Sequence, residues 1–87
     1  MQITFHCDPS HGWGEVPLEL INRLGIAGKI SRYSYAKLPN AYLEEDCDLG
    51  IFIEAMKAKG ETITFKEKFT NHDSPVRNYQ RYPTQGD

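Results

Sequence analysis

Residues 32–59, RYSYAKLPNAYLEEDCDLGIFIEAMKAK, leave the chain few ways to fold. Tyr33 and Tyr35 alternate with Ser34 and Ala36, which is the period of a strand. Pro39-Asn40 then supplies a turn, because proline presets its own φ and asparagine tolerates a left-handed backbone. Ala41 to Glu44 alternates again, so the stretch predicts a β-hairpin. A helix follows at once. Leu49, Phe52, Ile53 and Met56 recur at helical spacing, Asp46 or Asp48 stands where a carboxylate caps free N–H groups, and Gly60 stops the helix.

The rest of the chain fits around this unit. Positions 2–7 alternate, with Ile3, Phe5 and Cys7 on one side and Gln2, Thr4 and His6 on the other. The connector 8–14, DPSHGWG, is dense in turn formers, and its Gly12-Trp13-Gly14 lets backbone pass close beneath a large ring. Pro17 suits the first turn of a helix over 17–24 whose apolar side is Leu18, Leu20, Ile21 and Leu24. Positions 61–69 alternate once more, Ile63, Phe65 and Phe69 against Thr62, Thr64, Lys66 and Lys68. The order strand, helix, strand, strand, helix, strand predicts an α+β domain over 1–69. Its expected form is a ferredoxin-like βαββαβ split sandwich, a four-stranded antiparallel sheet in the order 4-1-3-2 with both helices on one face. The alternatives are a swapped dimer, or a hairpin-led domain in which Gly14-Glu15-Val16 forms a further short strand. Periodicity ceases at Thr70, so 70–87 reads as an extended C-terminal tail, either disordered or laid on a domain through Val76, Tyr79 and Tyr82.

A chain of 87 residues is one domain and buries only about 60% of its unfolded surface, which keeps self-association, including a homodimer, open. The formal charge of -2, with scattered Lys and Arg, gives no long-range pull on nucleic acid or acidic lipid. No apolar run approaches the roughly 20 residues that span a bilayer. The start MQITF already alternates and leaves no room for a targeting segment, and Cys7 and Cys47 lack a Cys-x-x-Cys spacing; a reduced cytoplasmic protein is the simpler expectation.

Four groups of residues carry possible chemistry. His6, Cys7, Asp8 and His11 include zinc-type donors, but His6 and Cys7 face opposite ways on a regular strand, so Cys7 reads as a small core residue and His11 as a loop group. Cys47 sits in a helical first turn that favours a thiolate, yet Glu44, Glu45, Asp46 and Asp48 disfavour it. That acidic run lacks the glycine-punctuated spacing of a calcium loop and serves better as helix complement or as an acidic patch for a basic partner. The tyrosines are the strongest hint. With Ile3, Phe5, Leu43, Ile63 and Phe65 turned to the helices, Tyr33, Tyr35 and Tyr42 fall on an uncovered sheet face. Such a face suits a protein partner, with Tyr33, Tyr35, Tyr42, Glu44, Glu45 and Asp46 as contact residues, or it stacks unpaired bases. The charge balance favours protein. No loop cradles phosphate and no nucleophile has a visible base, so a non-enzymatic module without cofactor or metal is expected, ahead of a metal- or thiol-dependent enzyme around His6, His11 and Cys47.

The segments DPSHGWGEVP, KISRYSY, YLEEDCDLGIFIEAMKAKG and DSPVRNY together resemble a group of small uncharacterised proteins of bacteria and their phages. The likeness runs over about 8–79. It implies an intracellular accessory or regulatory protein directed at host or defence machinery, and brings no activity or site residue with it.

Overall fold

The computed structural model describes residues 1–83, so positions 84–87 of the expected tail lie outside the described residues. In chain order the elements are β1 (Gln2–Cys7), β2 (Gly12–Pro17), α1 (Leu18–Arg23), β3 (Tyr35–Lys37), β4 (Asn40–Glu44), α2 (Asp48–Ala58), β5 (Thr64–Phe69) and β6 (Gln80–Arg81), with 3₁₀ turns at Ala27–Lys29 and Pro75–Asn78. The strands form one six-stranded sheet in the order β5-β1-β2-β4-β3-β6. All neighbours pair antiparallel except β1 and β5, which are parallel. None of the described helices is long and apolar enough to cross a membrane.

This mixed sheet corrects the expected four-stranded ferredoxin-like sandwich, and the cause is β2. The chain turns back after Cys7, pairs Gly12 with Cys7 and Gly14 with Phe5, and enters α1 directly from Pro17. One added reversal between β1 and α1 inverts every later element relative to β1, so β5 returns to it parallel. The first crossover therefore starts from β2 rather than β1, with β4 lying between β2 and β3. Gly12 and Gly14 hide this strand from a hydrophobic pattern. A Cβ on Gly12 would sit 2.2 Å from Phe5 Cζ, and one on Gly14 would sit 2.6 Å from Leu49 Cδ1. The apolar positions of β2 are thus filled by side chains from β1 and α2, and only glycine leaves them room.

Both faces of the central sheet are covered. On one, Ile3, Val16, Ala41 and Leu43 meet Ile21 of α1 and Leu49, Phe52 and Met56 of α2. Phe52, Ile21, Leu43 and Val16 are fully buried, each worth about 1.5–3 kcal/mol by transfer from water. On the other face Trp13, Tyr35 and Tyr42 form a second cluster closed by Val76, with Tyr79 packed against it. The segment after β5 supplies that cover. Ser74 begins the 3₁₀ turn as its cap, accepting from the Val76 N–H, and Tyr82 N–H then bonds Ser34 O at 2.9 Å.

The entrance to α2 is held differently from the expected capping. Asp48 is buried, and its carboxylate accepts from Ser31 N–H, from Ser31 Oγ at 2.7 Å and from Ser34 Oγ at 2.5 Å. Ser34 Oγ in turn accepts from Glu44 N–H at 2.9 Å. Asp48 thus ties the loop before β3 to the end of β4. Its neighbour Cys47, the N-cap residue, makes no side-chain cap bond; its N–H donates to Glu44 Oε2 at 3.0 Å.

Candidate functional site

Two parts of the surface carry unusual combinations of residues, and neither is the open tyrosine face. Tyr35 and Tyr42 are each only 7% exposed beneath Val76 and Tyr79. Tyr42 packs tilted against Tyr79, ring centres 4.9 Å apart, and meets His6 edge-on at 5.5 Å. Tyr33 is 67% exposed but precedes β3. Among the remaining expected contact residues, Glu45 and Asp46 are exposed and Glu44 is largely buried. An aromatic sheet face covered by its own chain offers little to an outside partner.

The first part is a cavity of about 500 Å³ at the mouth of the second cluster, lined by His11, Trp13, Tyr35, Glu44, Arg77 and Arg81, with Tyr33, Asp46 and Cys47 also on its wall. It exists because of β2. Trp13 pairs with Glu44 across β2 and β4, and Glu45 N–H bonds Gly12 O at 3.1 Å, which sets the 8–11 turn beside the β4–α2 connection. One ligand atom each from His11, Glu44 and Asp46 then lies within 4.8 Å of the others. Arg77 stacks over Trp13 at 5.2 Å and Arg81 over Tyr35 at 4.7 Å. Trp13 is 2% exposed, and its Nε1–H has no acceptor among the described residues.

Asp8 anchors this arrangement. Its Oδ1 accepts from Ser10 and His11 N–H, its Oδ2 from Ser74 N–H, and both oxygens from the Arg77 guanidinium. The Arg77 hydrogen bonds, joined by the three backbone donors, hold the Asp8 carboxyl far below the ordinary carboxylate range despite its burial. Asp8, weighed in the sequence as a metal donor, is therefore the clasp between the first turn and the C-terminal segment.

The residues of the thiol and metal reading divide. His11 and Cys47 share the cavity, whereas His6 lies elsewhere, its Nε2 bonded to Glu15 Oε1 at 2.7 Å. Desolvation, then the charges of Glu44, Asp48 and Asp46, push the Cys47 thiol pKa up, and burial does the same first for Cys7. Neither thiol is tuned as a nucleophile. The chance of His11 meeting Glu44 was invisible without β2, since only strand pairing brings residues 33 apart together.

The second part is β5. It is an edge strand whose six residues are all exposed. Phe65 is 46% and Phe69 56% exposed. Phe65, Glu67 and Phe69 align with Ile3, Phe5 and Cys7 on the helix side, and Phe65 meets Phe5 edge-on at 5.9 Å. Lys66 and Lys68 align with Thr4 and His6 on the other side. Thr64 N–H donates to Met1 O and Thr70 N–H to Cys7 O. Alternate residues of a strand send their backbone groups to the same side, so Phe65, Glu67 and Phe69 present theirs to the open edge.

Comparison of the chain with protein-family models, with curated proteins and with solved structures finds no match in any of the three.

Proposed function

We propose that this is a protein-binding module that takes up an extended segment of its partner as a further strand on β5. The observation that carries the reading is an edge strand whose six residues are all exposed and which bears two half-exposed phenylalanines. Natural edges of this kind are normally shortened, covered or charged on both sides. Here Lys66 and Lys68 charge one face, while the helix side carries one charge, Glu67, between Phe65 and Phe69, which lie outside the main core.

The charge pattern selects the occupant. In the two antiparallel registers that would pair most of β5 with its own copy, either Lys66 opposes Lys66, or Lys66 opposes Lys68 while Glu67 opposes Glu67. Like charges directly opposite destabilise a strand pair, so a second copy of the chain is a poor occupant. A segment alternating apolar with acidic side chains matches both faces at once: apolar residues against Phe65 and Phe69, carboxylates against Lys66 and Lys68. Main-chain bonds to Phe65, Glu67 and Phe69 supply affinity and the alternating side chains supply choice.

The test is a displayed library of extended peptides selected on the folded protein. Enriched sequences should alternate apolar and acidic residues, and should lose binding to Glu67→Pro, which deletes an outward N–H without touching the β1 ladder. Phe65→Ser should weaken the same peptides, while circular dichroism stays constant. Selection of peptides that bind Glu67→Pro equally well, or of basic peptides, would remove the proposal.

A further inference from the structure

The geometry points to a binding site for a divalent metal ion of the zinc and cobalt class, held by His11, Glu44 and Asp46 and taking an anionic oxygen ligand on its open side. The site is separate from β5 and rests on none of the reasoning about that edge. Two independent observations converge on it. The donor atoms of the three residues already lie within 4.8 Å of one another. Trp13, which lines the same cavity, is only 2% exposed, and its indole N–H has no acceptor among the described residues.

The donor set defines the metal. One imidazole and two carboxylates suit a borderline ion, whereas calcium seeks about six to eight oxygens and magnesium retains its waters. Around a tetrahedral zinc, ligand atoms stand about 3.4 Å apart, given metal–ligand distances near 2.0–2.1 Å. Reaching that spacing from 4.8 Å requires modest movement, and His11 and Asp46 are exposed and able to make it. Glu44 is the fixed member. It is largely buried, follows Leu43 in the core of β4, and holds the Cys47 N–H through Oε2.

Three protein ligands leave a coordination position open, as in metal sites that bind an outside group. The cavity is also lined by Trp13, whose buried Nε1–H has no acceptor among the described residues, and by Arg77 and Arg81, whose guanidiniums stack on Trp13 and Tyr35. A carboxylate or phosphate oxygen on the metal satisfies that orphan donor, which otherwise costs about 1–3 kcal/mol. Asp8 serves as a positioning residue, because it fixes both the His11 N–H and the Arg77 guanidinium.

Trp13 is the single tryptophan of the chain, and its ring centre lies 6.2 Å from that of His11, so its fluorescence reports directly on the site. Titrating the intact protein with Co²⁺ should quench Trp13 saturably at one ion per chain, and Zn²⁺ should displace Co²⁺ with recovery of emission. His11→Ala and Asp46→Asn, both at exposed positions, should weaken Zn²⁺ measured calorimetrically by more than about 100-fold, beyond the range seen for outer-shell losses. His72→Ala should change nothing. Adding inorganic phosphate to the Zn²⁺-loaded protein should shift Trp13 emission again. Zn²⁺ binding that survives both substitutions, equal binding of Mg²⁺, or an emission unmoved by Co²⁺ would overturn the site; loss of the phosphate response alone would overturn its open anionic position.

Discussion

Asp8 and Arg77 stand 69 residues apart in the chain and form a two-pronged ion pair, Nε to Oδ2 at 2.7 Å and Nη2 to Oδ1 at 3.0 Å. The Asp8 side chain is 1% exposed and that of Arg77 27%. The carboxylate is thus the committed partner, while the guanidinium keeps some water. Asp8→Asn deletes the charge and misplaces a donor against Arg77 and Ser74 N–H. We expect a loss of about 3 kcal/mol, the lower end for breaking a buried pair. Urea unfolding measures it, and limited proteolysis between 70 and 83 should accelerate in parallel, because the second cluster loses its clasp.

The same pair fixes a pH dependence. The folded-state pKa of Asp8 is depressed, chiefly by Arg77, so its stabilisation is fully present above the unfolded value of about 3.9 and is lost as pH falls below it. The difference in unfolding free energy between wild type and Asp8→Asn should be constant from pH 8 to about 5 and shrink progressively below about pH 4. A difference that grows on acidification would contradict the assignment. Taking the difference cancels the carboxylates that both proteins share.

The sequence made β1, the β3–β4 hairpin and both helices legible, because each advertises its buried face through its own side chains, and β5 was legible by alternation alone, since its six residues are all exposed. Alternation at Ile3 and Phe5 and helical spacing at Leu49, Phe52 and Met56 needed no partner to be seen. β2 was weighed only as a short alternative, since its inward positions are Gly12 and Gly14 and the volume there belongs to Phe5 and Leu49. That omission misplaced the sheet and concealed the cavity, for His11 meets Glu44 only across the β2–β4 ladder. The tyrosine face illustrates the complementary failure. Tyr35 and Tyr42 do lie away from the helices, but the cover over them comes from Val76 and Tyr79, which have no period to announce it.

Gly12 offers a direct check of the hidden strand. A methyl at this position would lie 2.2 Å from Phe5 Cζ and 2.8 Å from Cε2. A ring is displaced as a rigid plate, and Phe5 is already held edge-on by Phe65. Gly12→Ala should therefore cost about 1–3 kcal/mol, the usual range for overpacking. Phe5→Leu should recover part of that loss in the double variant, a coupling that thermal unfolding of the four proteins in a double-mutant cycle would reveal.

Cys47 tests the electrostatics of the cavity from another side. The residue is exposed, so access does not limit its modification. Its reactivity is set by the fraction present as thiolate. Desolvation and the neighbouring carboxylates of Glu44, Asp48 and Asp46 raise the thiol pKa, so at neutral pH that fraction is below the value for free cysteine. In a Cys7→Ala background, iodoacetamide should alkylate Cys47 more slowly than it alkylates a cysteine peptide at the same pH. Asp46→Asn removes one of the opposing charges and should accelerate the reaction without altering the fold, since Asp46 is exposed. Raising the salt concentration should also narrow the gap, because screening weakens the exposed Asp46 more than the largely buried Glu44. Alkylation faster than the peptide would mean that the exposed backbone donors at the start of α2 outweigh the carboxylates, and would restore Cys47 as a candidate nucleophile with His11 beside it in the same cavity.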